Sequence, residues 1–216
     1  MIQRLVAVVT AGMLLAGISL AQDNTKDLEA KLKQNPNDTE TLMKLGKIYH
    51  DEGVAGNEDA VEKGFDCFDN VLHSDRSNAL AMAYRGSLWT LRARGAWWPF
   101  TKMSDVDKGV DDMDKAVDLA PDNIGVRIVR GINSVSLPSM FHRLPIALKD
   151  FDYLLNNSRF AMFDPHLQAT IYYWGGIANK NDGQSVKAKE LLQKAVSADP
   201  NSDFGKRAAN ELKQIS

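Results

Sequence analysis

The sequence predicts an all-α fold, a right-handed solenoid of four helical hairpins closed by a C-terminal capping helix. Two sets of markers that keep nearly the same intervals predict it. Glycines stand inside four helical patterns, "LMKLGKIY" (42–49), "MAYRGSLW" (82–89), "RIVRGINS" (127–134) and "IYYWGGIA" (171–178). These are Gly46, Gly86, Gly131 and Gly175, spaced 40, 45 and 44 residues apart. The turn markers Pro36, Arg76, Pro121, Pro165 and Pro200 are spaced 40, 45, 44 and 35. Each interval holds one hairpin, since proline removes a helical donor and stops one helix before the next opens.

The chain opens on a segment of another kind. Met1 to Arg4 lead into "LVAVVTAGMLLAGISLA", 17 uncharged residues closing on Ser19-Leu20-Ala21. Small residues at those two positions are what a signal peptidase reads, so residues 1–21 are expected to be a signal peptide cut between Ala21 and Gln22. The alternative is an uncleaved anchor, because a run of 17 is near the minimum for a bilayer span. No cysteine follows the run, which excludes a lipoprotein anchor. The mature chain is therefore expected to be exported, periplasmic or secreted, and with Cys67 as its one cysteine it has no internal disulfide. Of the 216 residues of the full sequence 44% are hydrophobic and 25% charged, the balance of a globular protein. A net charge of −2 argues against a broad basic surface for nucleic acid.

Residues 22–34 read as a lead-in helix and 35–201 as the repeats. Behind each glycine a second helix carries small or apolar residues at steps of four and three: Gly64, Phe68, Val71; Gly109, Met113, Ala116; Ala147, Phe151, Leu154; Ala188, Leu192, Ala195. Those steps hold them on one helical face. The small first residue lets two helices approach, and the larger second one fills the gap. From glycine to that small residue the four units count 18, 23, 16 and 13, so the extra length is expected in enlarged turns on one edge of the solenoid. Residues 202–216, with "DFGKRAANELKQI", read as the capping helix.

This pattern resembles the tetratricopeptide repeat family. The family shows a bulky residue, Leu-Gly, an aromatic three further on, then Ala, Phe, Ala and a closing Pro. Leu42, Leu45, Gly46, Tyr49, Gly64, Phe68 and Val71 fit it in the first unit, with Arg76 in the proline's place. Ile171, Trp174, Gly175, Ala178, Ala188, Leu192, Ala195 and Pro200 fit it in the last. The resemblance covers about residues 35 to 201 and implies the architecture more than any one function. Against a usual period of about 34 residues, only the last unit is close to standard length.

Three readings compete for Trp97, Trp98 and Phe100, which fall in "GAWWPFTKM" of the second unit. They can plug a gap between hairpins as a local core, form a protein-binding edge, or meet a membrane interface peripherally. Because the two tryptophans are adjacent, one is expected to pack inward and the other to face out with Phe100 and Phe141. The third unit's turn, "SLPSMFHRLP", adds Met140, Phe141, His142 and Arg143.

The arginines invite a similar weighing. Arg85 and Arg130 take the slot of Leu45, and Arg127 lies one helical turn before Arg130. Either they pair with an acid on a second helix, such as Asp69, Asp114 or Asp152, or they line a groove and hold a partner's terminal carboxylate.

Enzyme chemistry is thin. His50, His73, His142 and His166 have no partner at metal-ligand spacing, and no cofactor motif is present. Cys67 beside Phe68 reads as a small core residue. Ser104 with Asp107 reads as a helix cap rather than part of a calcium loop. The sequence is thus expected to specify a non-enzymatic scaffold that binds a protein or peptide through its groove and aromatic edge, without a cofactor or metal. The alternative is a small-molecule or lipid carrier with an apolar pocket closed by the long turns.

Overall fold

The computed structural model describes residues 17–215. Ten α-helices follow one another among them: α1 Gly17–Gln34, α2 Thr39–Val54, α3 Glu58–Ser74, α4 Ala79–Gly95, α5 Pro99–Leu119, α6 Ile124–Ser136, α7 Leu144–Leu155, α8 Pro165–Asn181, α9 Ser185–Ala198 and α10 Asp203–Leu212. Pairs α2/α3, α4/α5, α6/α7 and α8/α9 are the four expected hairpins. Short 3₁₀ turns sit at Ser139–Phe141 and Phe160–Met162. Most of the expected signal peptide lies outside the described residues. Among those described, no helix is long and apolar enough to cross a membrane. The chain divides into two compact units, one through Val129 and one from Arg130.

The turn markers work through the residue two places on. Asp38, Asn78 and Ser202 each cap the next helix by accepting from the backbone N–H of Thr41, Ala81 and Gly205 at 3.2, 3.0 and 3.0 Å. Asn123 does the same for Val126 at 3.2 Å. These caps satisfy donors that a helix start leaves orphaned. Pro165 departs from the series. It is itself the first residue of α8, with Asp164 as the cap, because a longer connection carrying Phe160–Met162 precedes it.

In the first unit the core runs through Leu42, Leu45, Phe68, Val71 and Leu88. A second cluster gathers Ala83, Met113, Ala116, Val126 and Val129. Burying a side chain of this size contributes about 1.5–3 kcal/mol. In the second unit Phe151, Leu154, Ile171 and Leu192 are fully buried, and α10 covers α8 with Phe204 packed on Tyr173 and Trp174.

The repeat glycines lie where helices nearly touch. A Cβ on Gly46 would stand 2.8 Å from the Phe68 ring, and one on Gly131 3.1 Å from the Phe151 ring. In the last hairpin the sequence alignment is one residue out of register. Gly175 has ordinary space, 3.5 Å or more, whereas a Cβ on Gly176 would meet Leu192 at 2.9 Å. Two adjacent glycines offered two registers, and the packing of Leu192 selects the second. Gly176→Leu, not Gly175→Leu, is therefore the overpacking change, expected to cost about 1–3 kcal/mol in a denaturant melt.

The extra length of the first two hairpins is not in their turns. Both are closed by three residues, 55–57 and 96–98, as is the last hairpin at 182–184. Relative to α8/α9, α4 runs four residues further past its glycine and α5 starts seven residues earlier before Gly109. Eleven residues make about three helical turns, so the insertion extends two paired helices without disturbing their contact face. Only α6/α7 has an enlarged connection, residues 137–143. Ser104, expected as a cap, consequently lies inside α5.

Candidate binding surface

The extension of α4/α5 ends in an aromatic tip. Trp97 is 88% exposed, Phe100 73% and Trp98 52%, with Met103 at 47% on the next turn of α5. The two indole rings lie 5.6 Å apart, and Trp98 lies 6.1 Å from Phe100. The expectation that one tryptophan packs inward is corrected. Both occupy a three-residue connection beyond the ends of the helices, where opposite side-chain directions alike lead to solvent. Trp97→Ala and Trp98→Ala are each expected to shift stability by no more than about 0.5 kcal/mol in a thermal melt.

The root of the tip is held firmly. Asp105, buried, takes Arg92 Nε at 3.3 Å and Lys108 Nζ at 3.4 Å. Arg92 in turn lies 3.9 Å over the Trp89 ring and 5.0 Å from that of Phe65. Arg94 bridges back to the preceding hairpin, donating to the carbonyls of Gly53 and Val54 at 2.6 and 3.2 Å.

The arginines of the expected groove are engaged within the fold. Arg130 grips Asp150 with two bonds, Nε to Oδ2 at 2.7 Å and a second at 2.8 Å, and both residues are buried. Arg85 holds Asp112 in the same manner at 2.8 and 2.9 Å and reaches Asp69 at 3.2 Å. Arg127, also buried, donates from Nε to the Pro121 carbonyl at 2.5 Å. Arg127 and Arg130 thus lie beneath the surface, and neither can clamp a partner's carboxylate. Arg85 thus reaches the expected Asp69, while its closer acid, like that of Arg130, stands just before the large apolar residue of the second helix. Asp112 and Asp150 directly oppose Gly86 and Gly131, with their Cβ atoms 3.1 and 3.5 Å from a Cβ built there, so they face the arginine one residue earlier. Asp152, one position past Phe151, instead takes Lys187 of α9.

The described chain closely follows a solved structure along most of its length. The crystal structure of a thermophilic TPR protein from Thermus thermophilus matches with a TM-score of 0.72 at 15% identity, covering 91% of this chain and 93% of that one. The fold is that of a tetratricopeptide repeat protein. No protein-family model matches the sequence, and no curated protein matches it.

Within the tetratricopeptide fold, a seam between the first helices of two consecutive hairpins escaped the sequence reading. Lys47 and His50 of α2 meet Tyr84 and Ser87 of α4. Lys47 Nζ is 5.6 Å from the Tyr84 ring centre, the His50 ring stands edge-on to it at 5.1 Å, and His50 Nε2 is 2.8 Å from Ser87 Oγ. Lys47, His50 and Tyr84 are each partly buried, with 13% of the His50 side chain exposed. Burial pushes the Tyr84 phenol up to about 12, so it remains a neutral donor at physiological pH. The available signal was positional: Lys47 and Ser87 each follow a repeat glycine by one residue.

In the second unit Met140 is exposed, while Phe141 and Arg143 are half-buried around the 3₁₀ turn, with His142 left-handed at φ 53°. Cys67 is buried, and burial, with Asp66 next, raises its thiol to about 12, far from a thiolate nucleophile.

Proposed function

We propose that the chain is an exported scaffold of tetratricopeptide fold that binds another exported or envelope protein. The observation that carries this reading is the α2–α4 seam. It presents a lysine, a histidine and a tyrosine ring side by side, each partly buried, on two helices fixed by the cores of successive hairpins. An aromatic with neighbouring polar groups on a rigid face suits the centre of a protein interface. Arg85, partly exposed and held by Asp112 and Asp69, borders a cavity of about 330 Å³ with Leu72, His73, Arg76 and Met82. Its charge is already balanced there, so it positions a neighbour rather than capturing a carboxylate.

The aromatic edge supplies the second contact. Met140, Phe141 and Arg143 are a protein contact of the second unit, and Trp97, Trp98 and Phe100 of the first are the element that meets the envelope. The carrier alternative draws no support from the cavities. The one beside Arg85 and another of about 480 Å³ at Asp152, Tyr153, Asn156, Asn157 and Ser158 both lie open to solvent rather than enclosed.

A photoactivatable amino acid at Lys47 in exporting cells tests the reading. It is expected to give a discrete adduct with one envelope protein, absent when the same group replaces Glu190 on the exposed side of α9. Identical patterns at both positions would overturn it.

A further inference from the structure

We propose that the α4/α5 tip is a membrane-surface anchor, whose ligand is the interfacial region of an anionic phospholipid bilayer. This rests on the reading of the chain as an exported scaffold and assigns the tip a partner of its own.

The first argument is shape. Trp97, Trp98 and Phe100 protrude together from the end of an extended hairpin, and Met103 follows one turn along α5. A protein partner would have to provide a cleft deep enough for three rings, whereas a bilayer interface admits them at once. Indole rings in particular reside at the headgroup level, with their carbon frame in the acyl boundary and the N–H among polar groups.

Charge supplies the second argument. From Arg76 to Ser104 the chain carries Arg76, Arg85, Arg92, Arg94 and Lys102 and not one Asp or Glu, although its net charge is −2. Asp112 and Asp69 neutralise Arg85, and Asp105 neutralises Arg92. Arg94 bonds only carbonyls in the contacts above, and Lys102 sits in the first turns of α5, two residues past Phe100. Two acids of α3 face the end of α4, Glu58 against Gly95 and Glu62 at 3.9 Å from Arg92. Cations placed among exposed rings suit a surface of lipid phosphates.

The third argument is the start of α5. Where α2, α3 and α4 are capped by Asp38, Asn57 and Asn78, α5 begins at Trp98 and Pro99 with no side-chain cap and no acid in its first turn. The N–H groups of Phe100 and Thr101 and the positive end of a 21-residue helix therefore lie beside the rings, where a phosphate can accept from them. The Asp105 ion pairs and the Arg92–Trp89 stack keep the tip from folding back onto its own hairpin.

The test uses the full chain with vesicles of phosphatidylcholine and phosphatidylglycerol at roughly three to one, carrying a doxyl quencher in the upper acyl chain. The apolar run at 5–21 can itself bring the chain to vesicles, so the readout is taken at the rings. Tryptophan emission is expected to be quenched and shifted to the blue. Both effects should be lost when Trp97, Trp98 and Phe100 are all replaced by Ser, leaving Trp89 and Trp174 as unquenched reporters. Because these three side chains are exposed, the variant's thermal melt is expected to match that of the parent. Lys102→Glu is expected to weaken quenching on these vesicles roughly fivefold or more, with little change on pure phosphatidylcholine. The proposal is overturned if the parent rings are not quenched, if the triple variant is quenched equally, if neutral and anionic vesicles quench alike, or if a photo-crosslinker at Trp97 captures protein instead of lipid. Any of those results leaves the Lys47 adduct, and with it the scaffold reading, to be judged separately.

Discussion

Gly109→Ala is expected to destabilise the protein by about 3 kcal/mol or more, because the added methyl meets backbone. Its new Cβ would stand 2.5 Å from the Gly86 carbonyl oxygen, and the reciprocal Cβ on Gly86 2.7 Å from the carbonyl of Gly109. At this crossing backbone meets backbone, so no side chain can rotate away and α4 and α5 must separate along their whole extended contact. Urea denaturation of Gly109→Ala, Gly86→Ala and Gly175→Ala checks this. The first two are expected to lower the midpoint strongly and the third hardly at all, because Gly175 has ordinary contact distances around it.

Asp150→Ala is expected to cost about 3–5 kcal/mol, since it strands the buried Arg130 guanidinium without its carboxylate. The repeats themselves show what restores the loss. At the same pair of slots the first hairpin has Leu45 and Cys67, the second Arg85 and Asp112, the third Arg130 and Asp150, and the last Gly175 and Leu191. Apolar pairs thus occupy the outer hairpins and ion pairs the inner two. Replacing Arg130 by Leu and Asp150 by Cys together is expected to recover stability to within about 1.5 kcal/mol of the parent. A double variant as unstable as Asp150→Ala would show that the pair contributes something an apolar contact cannot.

How far the sequence was legible varies with what each residue depends on. Hairpin number and the small-residue crossings depend on local pattern, and they could be read directly. The register of the last hairpin depended on which of two adjacent glycines lay under Leu192, a tertiary fact. Extra residues between Gly86 and Gly109 looked like a loop because Trp-Trp-Pro-Phe resembles a turn. Proline at the first position of a helix instead starts α5, so most of the insertion is helical. The arginines were identified as half-buried charges, yet the acids that grip Arg85 and Arg130 stand just before the large apolar residue, two positions from Asp114 and Asp152, a rotation that spacing alone does not fix. The Lys47–Tyr84 seam joins residues from different hairpins, and no motif within either one announces it.

The most direct test is the partner captured by the Lys47→Glu chain, normalised to the fraction folded. Lys47 is only partly buried and lies over Tyr84 without an ion pair, so the change is expected to leave the melting temperature within about 2 °C of the parent while reducing capture at least tenfold. Binding and packing would then be carried by different residues, as a scaffold requires. Undiminished capture by a fully folded Lys47→Glu chain would contradict the assignment of the seam as the protein-binding surface.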